Sequence, residues 1–173
     1  MPKEELPLLD ETALLVVAPE EFPINTYIDI ITIVRTLKRR GMRPIYYISP
    51  EYATGNDRKR LIPFVDRYCS LKRSNIENIR KLFEDIPRTK KNILVLGTRL
   101  GACINSTLKL AKIPRSVKKI VLPSHYIGSF HGRHSDDFWN QAKRRLEEQK
   151  IDVEMLEITK FEFRQADRLD HLD

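Results

Sequence analysis

The chain has 173 residues, 41% of them hydrophobic and 32% charged, with 31 basic residues against 24 acidic ones and a formal net charge of +7. That length supports one domain with a proper core and is short for two, while the apolar content excludes an extended disordered protein. No apolar run approaches the roughly 18 residues of a membrane span. The opening Met1-Pro2-Lys3-Glu4-Glu5-Leu6-Pro7 has neither the basic start nor the apolar centre of a signal peptide, so a cytoplasmic protein with no membrane partner is expected.

Ala13 to Val17 reads as a buried strand, Asn25 to Arg40 as a helix closed by Gly41, and Pro44 to Ile48 as a second strand, which together make a βαβ unit. Residues 51 to 63 read as a loop leading to a short helix, with a weak strand over Phe64 to Tyr68. Ser74-Asn75 can cap a helix from Ile76 to Asp85, which Pro87 ends. Asn92 to Leu96 is the strongest strand, followed by a helix from Ile104 to Lys112 that Pro114 stops, and by a strand from Lys119 to Leu122. Asp136-Asp137 opens a helix over Phe138 to Lys150, acidic in its first turn and basic later, as the helix dipole favours. Asp152 to Ile158 is the last strand, and residues 164–173 form a polar tail beyond a domain of residues 1–163. Strands alternating with helices define the expected fold: a single Rossmann-like α/β domain, its sheet mostly parallel, with helices on both faces. Ile24-Asn25-Thr26 after the first strand echoes Ile104-Asn105-Ser106-Thr107 after the strongest, an echo that the capping preferences of Asn, Ser and Thr already explain.

The turn Gly97-Thr98-Arg99-Leu100-Gly101 follows the strongest strand and leads into a helix. Strand, glycine turn and helix start are what an open α/β sheet uses to offer backbone N–H groups to an anion, and Arg99 can add a fork of donors. The turn matches neither a dinucleotide fingerprint nor a P-loop. The first strand ends in Ala18-Pro19-Glu20-Glu21, without the glycines and lysine that cradle a triphosphate, which excludes a classical ATPase. Glu20 and Glu21 read as solvent-facing or helix-capping residues on the same edge.

Past the strand at 119–122, Ser124, His125 and Tyr126 open a loop that also holds Phe130, His131, Arg133, His134, Asp136 and Asp137. Imidazoles beside carboxylates suit proton transfer or metal binding, but the spacing matches no zinc or hydrolase pattern and there is no G-x-S-x-G elbow. His125, His131, His134 and Asp136 are the candidate catalytic residues, and no metal or cofactor is expected. Tyr126 and Phe130 are the aromatics placed to stack on a ligand, whereas Tyr46 and Trp139 read as core. Cys69 and Cys103 stand far apart with no Cys/His cluster near either, and read as buried thiols. Basic clusters include Lys38-Arg39-Arg40 and Lys118-Lys119, directly before expected strands, and therefore on the edge opposite the loops. They define an alternative nucleic-acid surface or a set of solvated cations.

The stretch Leu94-Val95-Leu96-Gly97-Thr98-Arg99-Leu100-Gly101, the helix to Ala111 and the strand at Lys119 to Ser124 resemble the CARF (CRISPR-associated Rossmann fold) domains that sense cyclic oligonucleotides. That resemblance covers the second half of the chain and implies a ligand floor at Gly97, Thr98, Arg99, Gly101 and Ser124. Leu14 to Pro19, the helix to Gly41 and Pro44 to Glu51 resemble the opening of RecA/KaiC-like domains, in a form lacking the nucleotide-binding lysine. The leading expectation is non-enzymatic binding of a nucleotide-like or other phosphate-bearing ligand by Gly97, Thr98, Arg99, Gly101, Ser124, Tyr126 and Arg133. The first alternative is a nucleic-acid-binding or assembly protein using Lys38, Arg39, Arg40, Lys118 and Lys119. The second is a hydrolase or nuclease built on the histidine loop. A homodimer is compatible with each.

Overall fold

Six parallel strands lie in the order β3-β2-β1-β4-β5-β6. They are β1 (Thr12–Val17), β2 (Ile45–Ser49), β3 (Arg67–Ser70), β4 (Asn92–Gly97), β5 (Lys119–Pro123) and β6 (Asp152–Leu156). The structure is a computed structural model that describes residues 8–50, 60–128 and 135–157, with the side chains of Ser135 and Asp136 outside that description. The α/β, Rossmann-like reading of the sequence holds.

Every residue of β1 and β2 is buried, because a central parallel strand is covered on both faces and is apolar throughout rather than alternating. One face of the sheet collects Leu14 and Val16 of β1, Tyr47 of β2, and Leu94 and Leu96 of β4 against Tyr27, Ile30, Val34 and Leu37 of helix α1 (Ile24–Arg39). Those four side chains recur at helical spacing, and burying each contributes about 1.5–3 kcal/mol. The other face sets Ala13, Leu15, Val17, Tyr46, Ile93 and Val95 against Ile79 of α2 (Ile76–Arg80), Leu108 of α3 (Asn105–Leu110) and Leu146 of α4 (Ser135–Glu148).

Three elements depart from the sequence expectation. The weak strand lies at Arg67–Ser70 instead of 64–68, because Ile62–Phe64 forms a 3-10 turn around Pro63 and Asp66 closes the strand entry, its carboxylate accepting from the Ile45 N–H at 2.7 Å. The helix expected to reach Asp85 stops at Arg80. Beyond it the chain continues in i→i+3 turns, Glu84 N–H to Lys81 O and Ile86 N–H to Phe83 O, which drop Leu82, Phe83 and Ile86 into the core. The helix after β4 begins earlier than expected, as a π-turn over Leu100–Ile104.

β1 and β4 pair along their whole length, from Thr12 opposite Asn92 to Val17 opposite Gly97. At the last pair a Cβ on Gly97 would stand 2.1 Å from the Val17 carbonyl oxygen, so only glycine permits the approach. Gly97→Ala is expected to destabilise the fold by ~1–3 kcal/mol or more, read as a lowered midpoint in urea unfolding. An unchanged midpoint would show that the two strand ends are not held this closely.

Candidate functional site

The strand order reverses between β1 and β4, since β1 leads outward to β2 and β4 to β5. In open α/β sheets the crevice beyond the carboxyl ends of such a strand pair is where ligands bind. What lines it follows from the two turns that leave β1 and β4.

β1 ends at Ala18, fully buried and left-handed at φ 46°, ψ 47°. Its N–H continues the β1–β2 ladder to the Ile48 carbonyl at 2.7 Å, and its own carbonyl accepts the Thr98 hydroxyl at 2.7 Å. The reversal starts a 3-10 turn, Pro19–Glu21, that brings two carboxylates back over the sheet edge. β4 ends in Gly97 and Thr98, and Arg99 turns left-handed at φ 55°, ψ 62°. Arg99 Nε donates to Glu21 Oε2 at 2.7 Å, joining the two turns by an ion pair in which Glu21 is 16% and Arg99 33% exposed. Glu21 is therefore a half-buried partner of Arg99 rather than a solvent-facing cap, and both carboxylate oxygens of Glu20 are shielded from solvent. The correction has a local cause: the left-handed Ala18 folds the acidic pair inward, which no sequence periodicity reports.

The π-turn is closed by the Ile104 N–H on the Arg99 carbonyl at 3.2 Å, and it carries Cys103. Single π-turns of this kind are frequent at functional sites. The Cys103 backbone carbonyl accepts the buried Thr107 hydroxyl at 2.8 Å, which fixes the turn against α3. Burial pushes the Cys103 thiol up from its ordinary value; a hydrogen bond and positive charge from Arg99 work against that, while Glu21 and Glu20 add to it. Thiol, guanidinium and two carboxylates thus form one electrostatic unit. Cys103 also lines a cavity of about 300 Å³ whose wall is completed by Ala102 and Ser106 on one side and by Leu71, Lys72, Arg73 and Ile76 on the other. Asn75 keeps that second wall in place, its amide donating to Ser70 Oγ at 2.7 Å and to the Ser70 carbonyl at 3.2 Å.

The sequence-expected ligand residues are distributed unevenly. Gly97, Thr98, Arg99 and Gly101 do share the β4 turn, but Thr98 bonds Ala18, Arg99 pairs with Glu21, and Gly101 is buried. Ser124 sits at the next strand end, its hydroxyl 3.4 Å from Glu157 Oε2. Tyr126 is buried in the α1-side core with His125 edge-on to its ring at 4.9 Å, so it is a packing residue rather than an exposed stacking platform. Phe130, His131, Arg133, His134 and the Asp136 side chain lie outside the described residues. The loop after β5 is nonetheless sewn to the β4 turn, Gly128 N–H to Gly97 O at 2.8 Å and Leu100 N–H to Gly128 O at 3.1 Å. At the opposite edge Lys38 donates to the Pro63 carbonyl, Lys119 pairs with Glu154 at 3.0 Å, Arg39 is exposed, Arg40 half-buried, and Lys118 lines a groove. Among the described residues no three His, Cys, Asp or Glu side chains converge as a metal-binding group, and no helix is long and apolar enough to cross a membrane.

Sequence reasoning did not bring Cys103, Lys72 and Arg73 together, which the structure places around one cavity. The available signal was that Cys103 follows the strongest strand through a glycine turn at a helix start, a place where buried and reactive thiols look alike in sequence.

The strand order defines a Rossmann-like α/β protein whose switch-point crevice lies between β1 and β4. No protein-family model matches the chain, and no curated protein matches it. Among solved structures the chain is similar to YcaC from Pseudomonas aeruginosa with hexane-2,5-diol and covalent acrylamide (TM-score 0.53, 11% identity, 88% of this chain and 79% of that one). It is similar to the YcaC gene product of Escherichia coli, described as an octameric hydrolase of unknown specificity (TM-score 0.51, 12% identity, 90% and 79% covered). A Caenorhabditis elegans MAR1 ribonuclease aligns at TM-score 0.46, with 12% identity over 86% of this chain and 79% of that one. At these identities the likeness is one of fold.

The Cys103 unit has a signed response. Alkylation of Cys103 by iodoacetamide is expected to rise with a midpoint above that of an ordinary exposed thiol. Arg99→Ala removes the contacts that favour thiolate and moves the midpoint up, while Glu21→Gln removes a negative charge and moves it down. Mass-spectrometric rates across pH read both shifts, and a midpoint unmoved by either variant would dissolve the unit.

Proposed function

We propose that the cavity between the connections after β3 and β4, beside the β1 and β4 turns, acts on a small carbonyl compound through the Cys103 thiol, as a cysteine hydrolase does. The observation that carries this reading is that one thiol both lines the 300 Å³ cavity and feels the charges of the Arg99–Glu21 pair. The shared fold supports it: the E. coli relative is described as a hydrolase, and the P. aeruginosa relative carries covalent acrylamide, an electrophile that adds to thiols.

The chemistry follows from the charges. Burial keeps the resting thiol protonated, so attack requires that its proton leave as sulfur bonds to carbon. Glu21 and Glu20 are the carboxylates that act on the thiol, and with Glu21 bound to Arg99 we assign the proton to Glu20. Sulfur then bonds to the carbonyl carbon, the bond to the leaving group breaks, and that group departs with the proton held by Glu20. Water cleaves the resulting thioester, releasing the acid and restoring the thiol. Lys72 and Arg73 on the cavity wall favour a substrate bearing a carboxylate or phosphate.

The test is p-nitrophenyl acetate, with acyl-protein read by intact mass and p-nitrophenolate by absorbance. The wild type is expected to acylate at Cys103 and turn over, Cys103→Ser to lose both, and Glu20→Gln to slow the acylation. Equal release by Cys103→Ser would place the reaction on surface lysines and overturn the proposal.

A second reading, binding of a phosphate-bearing ligand without turnover, is favoured by the upward push on the thiol and by Lys72 and Arg73, and agrees with the resemblance to CARF domains. It expects no acylation, and a thermal stabilisation by a nucleoside monophosphate that Lys72→Ala with Arg73→Ala removes.

A further inference from the structure

The opposite edge of the sheet carries a second feature with different chemistry. The carboxyl ends of α3 and α4, the connection from α3 to β5 and the turn into β6 enclose a groove of about 690 Å³. Six cations line it, Lys109, Lys112, Arg115, Lys118, Arg145 and Lys150, and no Asp or Glu does. Arg145 reaches Asn105 at 3.5 Å, and among the described residues none of the six is in an ion pair.

Helix dipoles account for part of this. Lys109, Arg145 and Lys150 lie in or just past a last helical turn, where a cation is favoured by a few tenths of a kcal/mol to about 1. Lys112, Arg115 and Lys118 lie on the connection between α3 and β5, beyond the dipole of either helix. Gathering like charges in one concave place raises the local potential, an arrangement that an anion relieves. The groove continues into a second cavity of about 320 Å³ through the shared Lys112 and Pro114, where Lys81 and Arg80, the latter paired with Glu77, lengthen the track beside Glu84. An elongated track fits successive phosphates better than one small anion. Leu108, Ile113, Val117 and Ile151 supply apolar walls, and no aromatic side chain lines the larger groove to read or stack bases.

We propose that this groove binds the phosphodiester backbone of single-stranded nucleic acid without sequence preference. A flexible single strand follows a concave track more readily than a duplex, whose persistence length is about 150 bp. The groove is separate from the Cys103 crevice, shares none of its cavity residues except Leu110, and does not depend on the reaction proposed there.

The experiment is fluorescence anisotropy of the full chain with labelled oligothymidine and oligouridine of about 20 nucleotides and a matching duplex. At ~50 mM salt the single strands are expected to bind, with log affinity falling against log salt at a slope of about −0.7 for each phosphate engaged. Replacing Lys112, Arg115 and Lys118 by Gln is expected to weaken both single strands by about tenfold or more and to flatten the slope. Replacing Lys38, Arg39 and Arg40 by Gln removes the same charge elsewhere and is expected to change affinity by less than about threefold. Circular dichroism confirms that both variants fold. No binding at low salt, tighter binding of duplex, or equal losses in the two variants would each overturn the proposal.

Discussion

The approach of Gly97 to the Val17 carbonyl is the constraint on which the rest of the sheet's carboxyl edge depends. It brings the ends of β1 and β4 into register, and the hydrogen bonds past that point follow: Thr98 N–H to Val17 O at 3.1 Å and the Thr98 hydroxyl to Ala18 O. With the Ala18 carbonyl held there, the chain leaves β1 in a left-handed turn, and Glu20 and Glu21 are carried inward instead of out to water. The same register sets Arg99 opposite Glu21. A side chain at position 97 would separate the two turns and with them the ion pair, the π-turn and the surroundings of the Cys103 thiol. Gly128 repeats the device one strand over, where a Cβ would come within 3.1 Å of Thr98 Cγ2 and 3.2 Å of Phe22 Cε1.

The two edges of the sheet differ in how charge is handled. At the carboxyl edge the cation and the carboxylates are brought together and partly shielded, so one carboxylate is offset within the protein and the thiol is tuned by the balance. At the amino edge the cations of the groove have no acidic partner among the described residues, and neutrality is left to the solution or to a ligand. A surplus of +7 spread evenly would say little about function. Its concentration around Lys112, Arg115 and Lys118, with Lys119 paired to Glu154, makes it a directional property of the surface.

The architecture was legible because a parallel sheet writes itself as apolar runs: Leu14 to Val17 and Ile93 to Leu96 could hardly be anything but buried strands, and Ile30, Val34 and Leu37 mark the covered face of α1. Gly97 through Gly101 also marked the turn at the carboxyl edge of the sheet. The functional assignments within that edge were not legible. Arg99 looked available for a phosphate because its partner Glu21 is 78 residues away in sequence, and the pairing depends on a left-handed Ala18 that composition does not reveal. Cys103 read as an ordinary buried thiol, which by exposure it is; what distinguishes it is the cavity closed by Lys72 and Arg73 from a different βα connection. Local pattern carries strands and turns, whereas a site assembled from three connections appears only once the register is known.

Cys69 supplies an internal control for the account, since both thiols are 8% exposed and burial pushes both up. Cys69 sits in β3 with its thiol on the Ser70 carbonyl at 3.7 Å, while Cys103 opens onto the cavity beside Arg99. The most direct measurement is the ratio of their acrylamide modification rates in the native protein, resolved by peptide mass spectrometry at neutral pH. If the crevice is a site built to admit a small ligand to its thiol, Cys103 reacts at least about tenfold faster than Cys69. Equal rates, or faster modification of Cys69, would contradict it.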